Sequence, residues 1–352
     1  MGTFIKGIGI ISPQQTHDGS VLTNGFAPLA GNRLTCSEPD YGQFIDAKQI
    51  RRMSRIIKMG VVSSLLALRE SKIEKPDSVI VGTAFGCLED TNSFLSKMVQ
   101  YKEEMLSPTA FIHSTHNTIA AQVALWFQCR GYNSTYVHKN ISFESALLDS
   151  MMLLEEGTVK NVLTGGVDEI IDASFTIMNR MGFYKKEEIA ADQTLYEIKS
   201  KGSFAGEGAA FFSLVNSIDP TCIAEIKSVK TFSFSTMAEV VEGAQALLSE
   251  NKITTPDLVL AGFNGDIEDD KLTTSFLQGI NCLENSSGFK HWCGEYGTSS
   301  AFALWLAACI LKEKSVPESF SENIKIKSEI NNILIYNHQG SKHHSLIVVT
   351  AC

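Results

Sequence analysis

Thiols, imidazoles and carboxylates carry most side-chain chemistry, and in this sequence they gather in a few places. The segment KHWCGEYG holds His291, Cys293 and Glu295, a set that could transfer an acyl group if the three faced one another. His291 and Cys293 are two residues apart, which points them to opposite faces of a strand. His343-His344 is a second imidazole pair. No carboxylate or cysteine accompanies it at ligand spacing, so it reads as a solvated loop. His113 and His116 lie one helical turn apart, in a segment made irregular by Ser107-Pro108. The cysteines (Cys36, Cys87, Cys129, Cys222, Cys282, Cys293, Cys309 and Cys352) are scattered without a CxxC pair, as in a reducing compartment. No GxxxxGK[ST] or GxGxxG opens a helix. The sequence therefore predicts neither a metal nor a cofactor.

The elements that must position such groups centre on residues 134–169. Thr135 to His138 reads as a strand, Lys139-Asn140 as a sharp turn, and Ser142 to Glu156 as a helix stopped by Gly157. A second strand (Asn161 to Leu163) follows, closed by Gly165-Gly166, which read as turn and close-packing positions. A strand turning abruptly into a helix is a common seat for a nucleophile. Here the turn residue is Asn140, whose amide has no useful nucleophilicity. Its bottom-up role is to cap the helix that follows. Asn264, in an Asn-Gly pair, reads as a turn residue. Glu295 and Lys290 are expected to form a buried pair.

Helices alternating with short, wholly apolar strands predict a layered α/β fold. The order of elements echoes itself, which predicts a duplication dividing near Asn216 to Pro220 into halves 1–217 and 218–352. The 352 residues are 44% hydrophobic and 20% charged, ordinary for a globular protein. A net charge of −9 argues against nucleic acid or an anionic membrane as the main partner. Arg51, Arg52, Arg55 and Lys58 form a local basic patch against that background. The first residues read as a strand rather than a signal peptide, and no apolar run is long enough to span a membrane. A soluble, cytoplasmic protein is expected.

Five stretches taken together resemble the β-ketoacyl synthases, condensing enzymes with the thiolase-type fold. RRMSR (Arg51 to Arg55) resembles the opening of the family's first long helix, and GTAFGC (Gly82 to Cys87) its GTGxGG loop. ALLDSMMLLEEGTVKNVLTGGVDE is similar to the helix after the nucleophile and its Gly-Gly-acid end. GSFAGEGAAFFSLV resembles the G-F-x-x-G-E-G-A strand, and KHWCGEYGTSSA (Lys290 to Ala301) the K-S-x-x-G-H-T segment.

The resemblance implies a duplicated α/β/α/β/α fold with two pseudo-equivalent halves. It also implies a chemistry: a cysteine thiolate takes an acyl group, and two histidines assist decarboxylation of a malonyl unit. On this chain the cysteine position falls on Asn140 and the two histidine positions on Asn264 and Glu295, while the family lysine is kept as Lys290. The Gly-Phe turn that gates acyl entry is replaced by NHQGS (Asn337 to Ser341). The resemblance is therefore greatest to an inactive, chain-length-factor-type subunit. Such a subunit pairs with an active β-ketoacyl synthase and an acyl carrier protein in fatty-acid, polyketide or polyene assembly. Its dimer strand would be Ser134, Thr135, Tyr136, Val137, His138 and Lys139. The alternative is an acyltransferase or thioesterase acting on carrier-bound acyl thioesters through His291, Cys293 or Glu295.

Overall fold

The structure is a computed structural model and describes residues 2–19, 21, 25–104, 106–190, 197–316 and 329–352. Ten strands form one mixed sheet. Five come from the first half: β1 (Thr3–Ile11), β2 (Ser78–Gly82), β3 (Asn133–Tyr136), β4 (Asn161–Asp168) and β5 (Gly208–Val215). Five come from the second: β6 (Ala224–Ser233), β7 (Leu258–Ala261), β8 (Ser286–Gly288), β9 (Asn332–Gln339) and β10 (His343–Ala351). The order across the sheet is β8-β7-β9-β10-β6-β1-β5-β4-β2-β3. Numbered within its half, each set of five has the order 3-2-4-5-1, and the two sets meet where Thr3 to Ile5 pairs antiparallel with Ala224 to Ile226. Pairing sense also repeats. In each half strands 1 and 5, and 5 and 4, run antiparallel, while 4 and 2, and 2 and 3, run parallel.

Helices cover both faces. α1 (Arg55–Ser71) packs on β1, β5 and β4, with Ile56, Ile57, Val61 and Val62 wholly buried. α2 (Leu88–Gln100) and α3 (Thr118–Trp126) follow, and α3 packs on β2 and β3. α4 (Ser142–Glu155) is the helix after the sharp turn. In the second half come α5 (Met237–Glu250), α6 (Ile267–Gly279) and α7 (Ser299–Glu313). Every residue of α7 from Ser299 to Leu311 is buried, and it touches strands of both halves as well as α4. A helix apolar all round belongs in the middle of a layered fold, and small residues (Ser299, Ser300, Ala301, Ala303) let it approach the sheet.

The structure corrects two local readings. Gly165-Gly166 form no turn: β4 runs through them to Asp168, paired with Phe211 and Ala210 on one side and Val81 and Gly82 on the other. They are glycines because of packing. A Cβ on Gly166 would lie 2.9 Å from the Cβ atoms of both Ala301 and Thr298 on and before α7. The strand before Asn140 ends at Tyr136, and Lys139–Ile141 form a 3₁₀ turn with Lys139 at φ 52, the left-handed region.

Candidate functional site

The quoted motifs converge on two carboxylates. Glu207, wholly buried, receives both Nη atoms of Arg55 (2.7 and 2.5 Å) and the backbone N–H groups of Cys36 (2.8 Å) and Ile170 (2.9 Å). Arg55 turns its Nε to Glu38. Two acceptor oxygens meeting four donors is near saturation for a carboxylate. Asp168, at the end of β4, accepts from Thr83 Oγ1 (3.1 Å), the N–H groups of Ala84 (2.8 Å) and Phe85 (3.3 Å), and Thr298 Oγ1 (2.9 Å). Burial outweighs these donors and pushes its pKa up to about 6. The GTAFGC loop, the GGVD end of β4 and the residue before α7 are thus joined through one side chain.

The second-half site positions are brought together. Glu295 is placed by a backbone bridge: its N–H donates to Phe204 O (2.7 Å) and its carbonyl accepts from Gly206 N (2.9 Å). The expected pair is present, with Lys290 Nζ 2.6 Å from Glu295 Oε2 and the Lys290 side chain wholly buried. Asn264 Nδ2 donates to the same Oε2 (3.0 Å) and to Asp269 Oδ2 (3.0 Å), and its Oδ1 accepts from Asp266 N (2.9 Å). Asp270 Oδ1 takes the backbone N–H groups of Asn264 (3.0 Å) and Gly265 (3.3 Å). Both amide hydrogens of Asn264 are therefore engaged, and the Glu295 oxygen facing it is held by a cation and an amide. That oxygen is an acceptor, the opposite of the donor that an oxyanion needs. Burial raises the Asp269 and Asp270 carboxyls, Asp270 to about 6.

Asn140 is buried on the 3₁₀ turn just before α4. It is not the helix cap that the sequence suggested. The N-cap position of α4 is Ile141, and the turn is tied instead by Ser142 Oγ, which accepts from His138 N (2.8 Å) and donates to Lys139 O (2.6 Å). Cys293 is wholly buried, and its thiol donates toward the carbonyls of Gly294 (3.4 Å) and Phe289 (3.9 Å). Burial, with Lys290 opposing and Glu295 adding, pushes that thiol well above its usual range, so it holds little thiolate. His291 lies against Trp292, ring centroids 3.7 Å apart.

The pair His343-His344 is no solvated loop. It begins β10, and His344 is buried with its Nδ1 3.0 Å from Tyr336 Oη. The basic patch also divides: Arg51 and Arg52 are exposed, Arg55 is held by Glu207 and Glu38, and Lys58 lies over the Tyr41 ring.

Sequence reasoning missed two groups beside the site. Glu144, wholly buried on α4, accepts from Ser345 Oγ (2.7 Å), and burial raises its carboxyl against that bond. Its signal was a lone acid in the apolar run FESALL. His338, buried on β9, has Nδ1 3.1 Å from Gly340 O and Nε2 2.7 Å from Thr273 Oγ1. A carbonyl only accepts, so Nδ1 carries the proton and Nε2 accepts from Thr273. Burial, with Lys290 adding, pushes its pKa down to about 3. Among the described residues no cluster of three or more His, Cys, Asp or Glu could hold a metal ion, and no helix is long and apolar enough to cross a membrane.

The fold is the thiolase-type fold of the β-ketoacyl synthases, and the motifs are similar to theirs. Residues 33–196 match the family model described as "Beta-ketoacyl synthase, N-terminal domain". A curated relative, 3-oxoacyl-[acyl-carrier-protein] synthase 2 of Synechocystis sp. (strain ATCC 27184 / PCC 6803 / Kazusa), is 22% identical over 185 residues, which are 50% of this chain and 44% of the relative. The match thus spans less than half of that relative's length. Solved structures share the fold over the whole chain. The ishigamide ketosynthase/chain length factor aligns with TM-score 0.81 at 14% identity, covering 100% of this chain and 99% of that one. A β-ketoacyl synthase from Burkholderia phymatum STM815 aligns with TM-score 0.78 at 14% identity, covering 100% and 99%. The ketosynthase ApeO in complex with its chain length factor ApeC from Xenorhabdus doucetiae gives TM-score 0.77 at 13% identity, covering 100% and 98%.

Proposed function

We propose that this chain is a non-condensing, chain-length-factor-type subunit that pairs with an active β-ketoacyl synthase and its acyl carrier protein in the cytoplasm, building a polyketide, polyene or fatty acyl chain. The observation that carries the reading is the Lys290–Glu295–Asn264 cluster. Two positions that hold catalytic imidazoles in the resembled family are engaged here with each other and with a lysine. Asn140, at the third position, supplies no nucleophile. The halves 1–217 and 218–352 are read as the duplicated pair, in keeping with their shared strand order.

The partner surface in this reading is the edge of the sheet. Among the described residues β3 has one neighbour, β2, which leaves its other side open. Val137 (40% exposed) continues the segment, while Leu125 (70%) on α3 and Met152 (58%) on α4 lie on the helices that pack against it. An open, apolar-flanked edge is a surface that proteins cover, so residues Ser134 to Lys139 would pair with the partner. The exposed cations Lys48, Arg51 and Arg52 would meet an acidic carrier protein. Co-expression with a candidate ketosynthase, followed by size-exclusion chromatography, should give a heterodimer that Val137→Asp weakens. The isolated chain should not condense acyl and malonyl carrier thioesters, and Asn140→Cys should not restore condensation. Turnover by the isolated wild-type chain at a ketosynthase rate would sink the proposal. The acyltransferase or thioesterase alternative requires an acyl adduct on Cys293, which intact-mass measurement after incubation with acyl thioesters would detect.

A further inference from the structure

A cleft of about 660 Å³ opens in the first half, and Asn140, Asn264, Lys290 and Glu295 are not among its lining residues. Its size is that of small-molecule sites. Arg33, Glu38, Arg55, Glu89, Glu169 and Asp172 supply its charged lining. Both guanidiniums already hold acceptors within the protein, although Arg33 Nε has no partner. Arg55 holds Glu207 and Glu38, and Arg33 holds Asp172 Oδ1 (2.5 Å) and the carbonyl of Ile170 (2.8 Å). Glu89 and Glu169 form no ion pair among the described residues.

Glu169 stands out. It is only 4% exposed, its Oε1 accepts the N–H of Glu89 (3.0 Å), and its Oε2 has no hydrogen-bond partner. A buried carboxylate oxygen without a donor is costly, and a donor arriving from outside the chain removes that cost. Ile170, Ile171 and Ala173 give the same cleft an apolar wall. Four carboxylates against two arginines disfavour an anion.

We propose that this cleft binds a small aliphatic amine, its ammonium held between Glu89 and Glu169 and its alkyl chain lying along Ile170 and Ile171. The site is separate from the triad positions and does not depend on the subunit reading above.

Isothermal titration of the full chain with 1,4-diaminobutane, with succinate and 1,4-butanediol as anionic and neutral counterparts, tests it. Saturable binding of the diamine alone is expected, weakened about tenfold or more by Glu169→Gln and less by Glu89→Gln. Circular dichroism checks that each variant is folded. If Glu169→Gln does not fold, Ala173→Trp, which fills the cleft without altering a charge, must abolish the binding. The proposal fails if no saturable heat appears up to about 10 mM diamine. It also fails if succinate or the diol binds as well, or if the folded variants bind like the wild type.

Discussion

Two carboxylate centres organise this molecule, and they differ in what they touch. Glu207 and Asp168, in the first half, accept from a guanidinium, hydroxyls and backbone N–H groups contributed by distant loops. Glu295, in the second, meets the side chains of Lys290 and Asn264. The first centre ties side chains to backbone N–H groups as well as to side-chain donors, so its carboxylates are bound to the fold itself. The second joins side chain to side chain around positions where the resembled family does chemistry. The difference teaches where replacement is tolerated: an exchanged side chain can find a new side-chain partner, but a backbone N–H cannot be exchanged.

The largest expected effect comes from breaking the first centre. Glu207→Ala leaves both Nη atoms of Arg55 and two backbone N–H groups without their acceptor, with only Nε still held by Glu38, and should destabilise the chain by about 3 kcal/mol in chemical denaturation. A loss near zero would remove the contrast between the centres. At the second centre, Lys290→Met and Glu295→Gln should each cost about 2–3 kcal/mol, and the double variant clearly less than their sum. Additive losses would mean that the pair does not interact.

Gly166→Ala probes the packing between the centres, where the added methyl meets Ala301 and Thr298. It should cost about 1–3 kcal/mol, with no change in the pH profile. The smallest effect concerns acid. The folded-state pKa of His338 is lowered to about 3 from an ordinary 6.5. Its contribution is therefore present above pH 6.5 and is lost as pH falls from there toward 3. Gln can keep hydrogen bonds to Thr273 and Gly340 without titrating. His338→Gln should thus lose less melting temperature than the wild type between pH 7.5 and 5, and equal losses would show that His338 does not titrate on unfolding.

Much of the fold was legible because its signals are local. The alternation of helices with short apolar strands gave the α/β class, and the helix from Ser142 to Glu156 was read with its Gly157 stop. The motif resemblance located Asn140, Asn264, Lys290 and Glu295, and charge complementarity foretold the Lys290–Glu295 pair. The errors share a cause. His343-His344 looked solvated because imidazoles are polar, but the β9–β10 hairpin carries His344 inward against Tyr336. Gly165-Gly166 read as turn and close-packing positions, and only the packing holds: Gly165 makes room for the Phe211 ring and Gly166 for Ala301 and Thr298.

The sequence by itself determined the α/β alternation and the repeated order of elements, and it carried the motifs of the resemblance. These depend on residue type and spacing along the chain. Only the tertiary structure decided that Arg55 belongs to Glu207 rather than to a surface patch, that Glu144 and His338 are buried beside the site, and that β3 forms an open edge. Such relations join residues far apart in sequence, and they arise only when the two halves close their strands into one sheet.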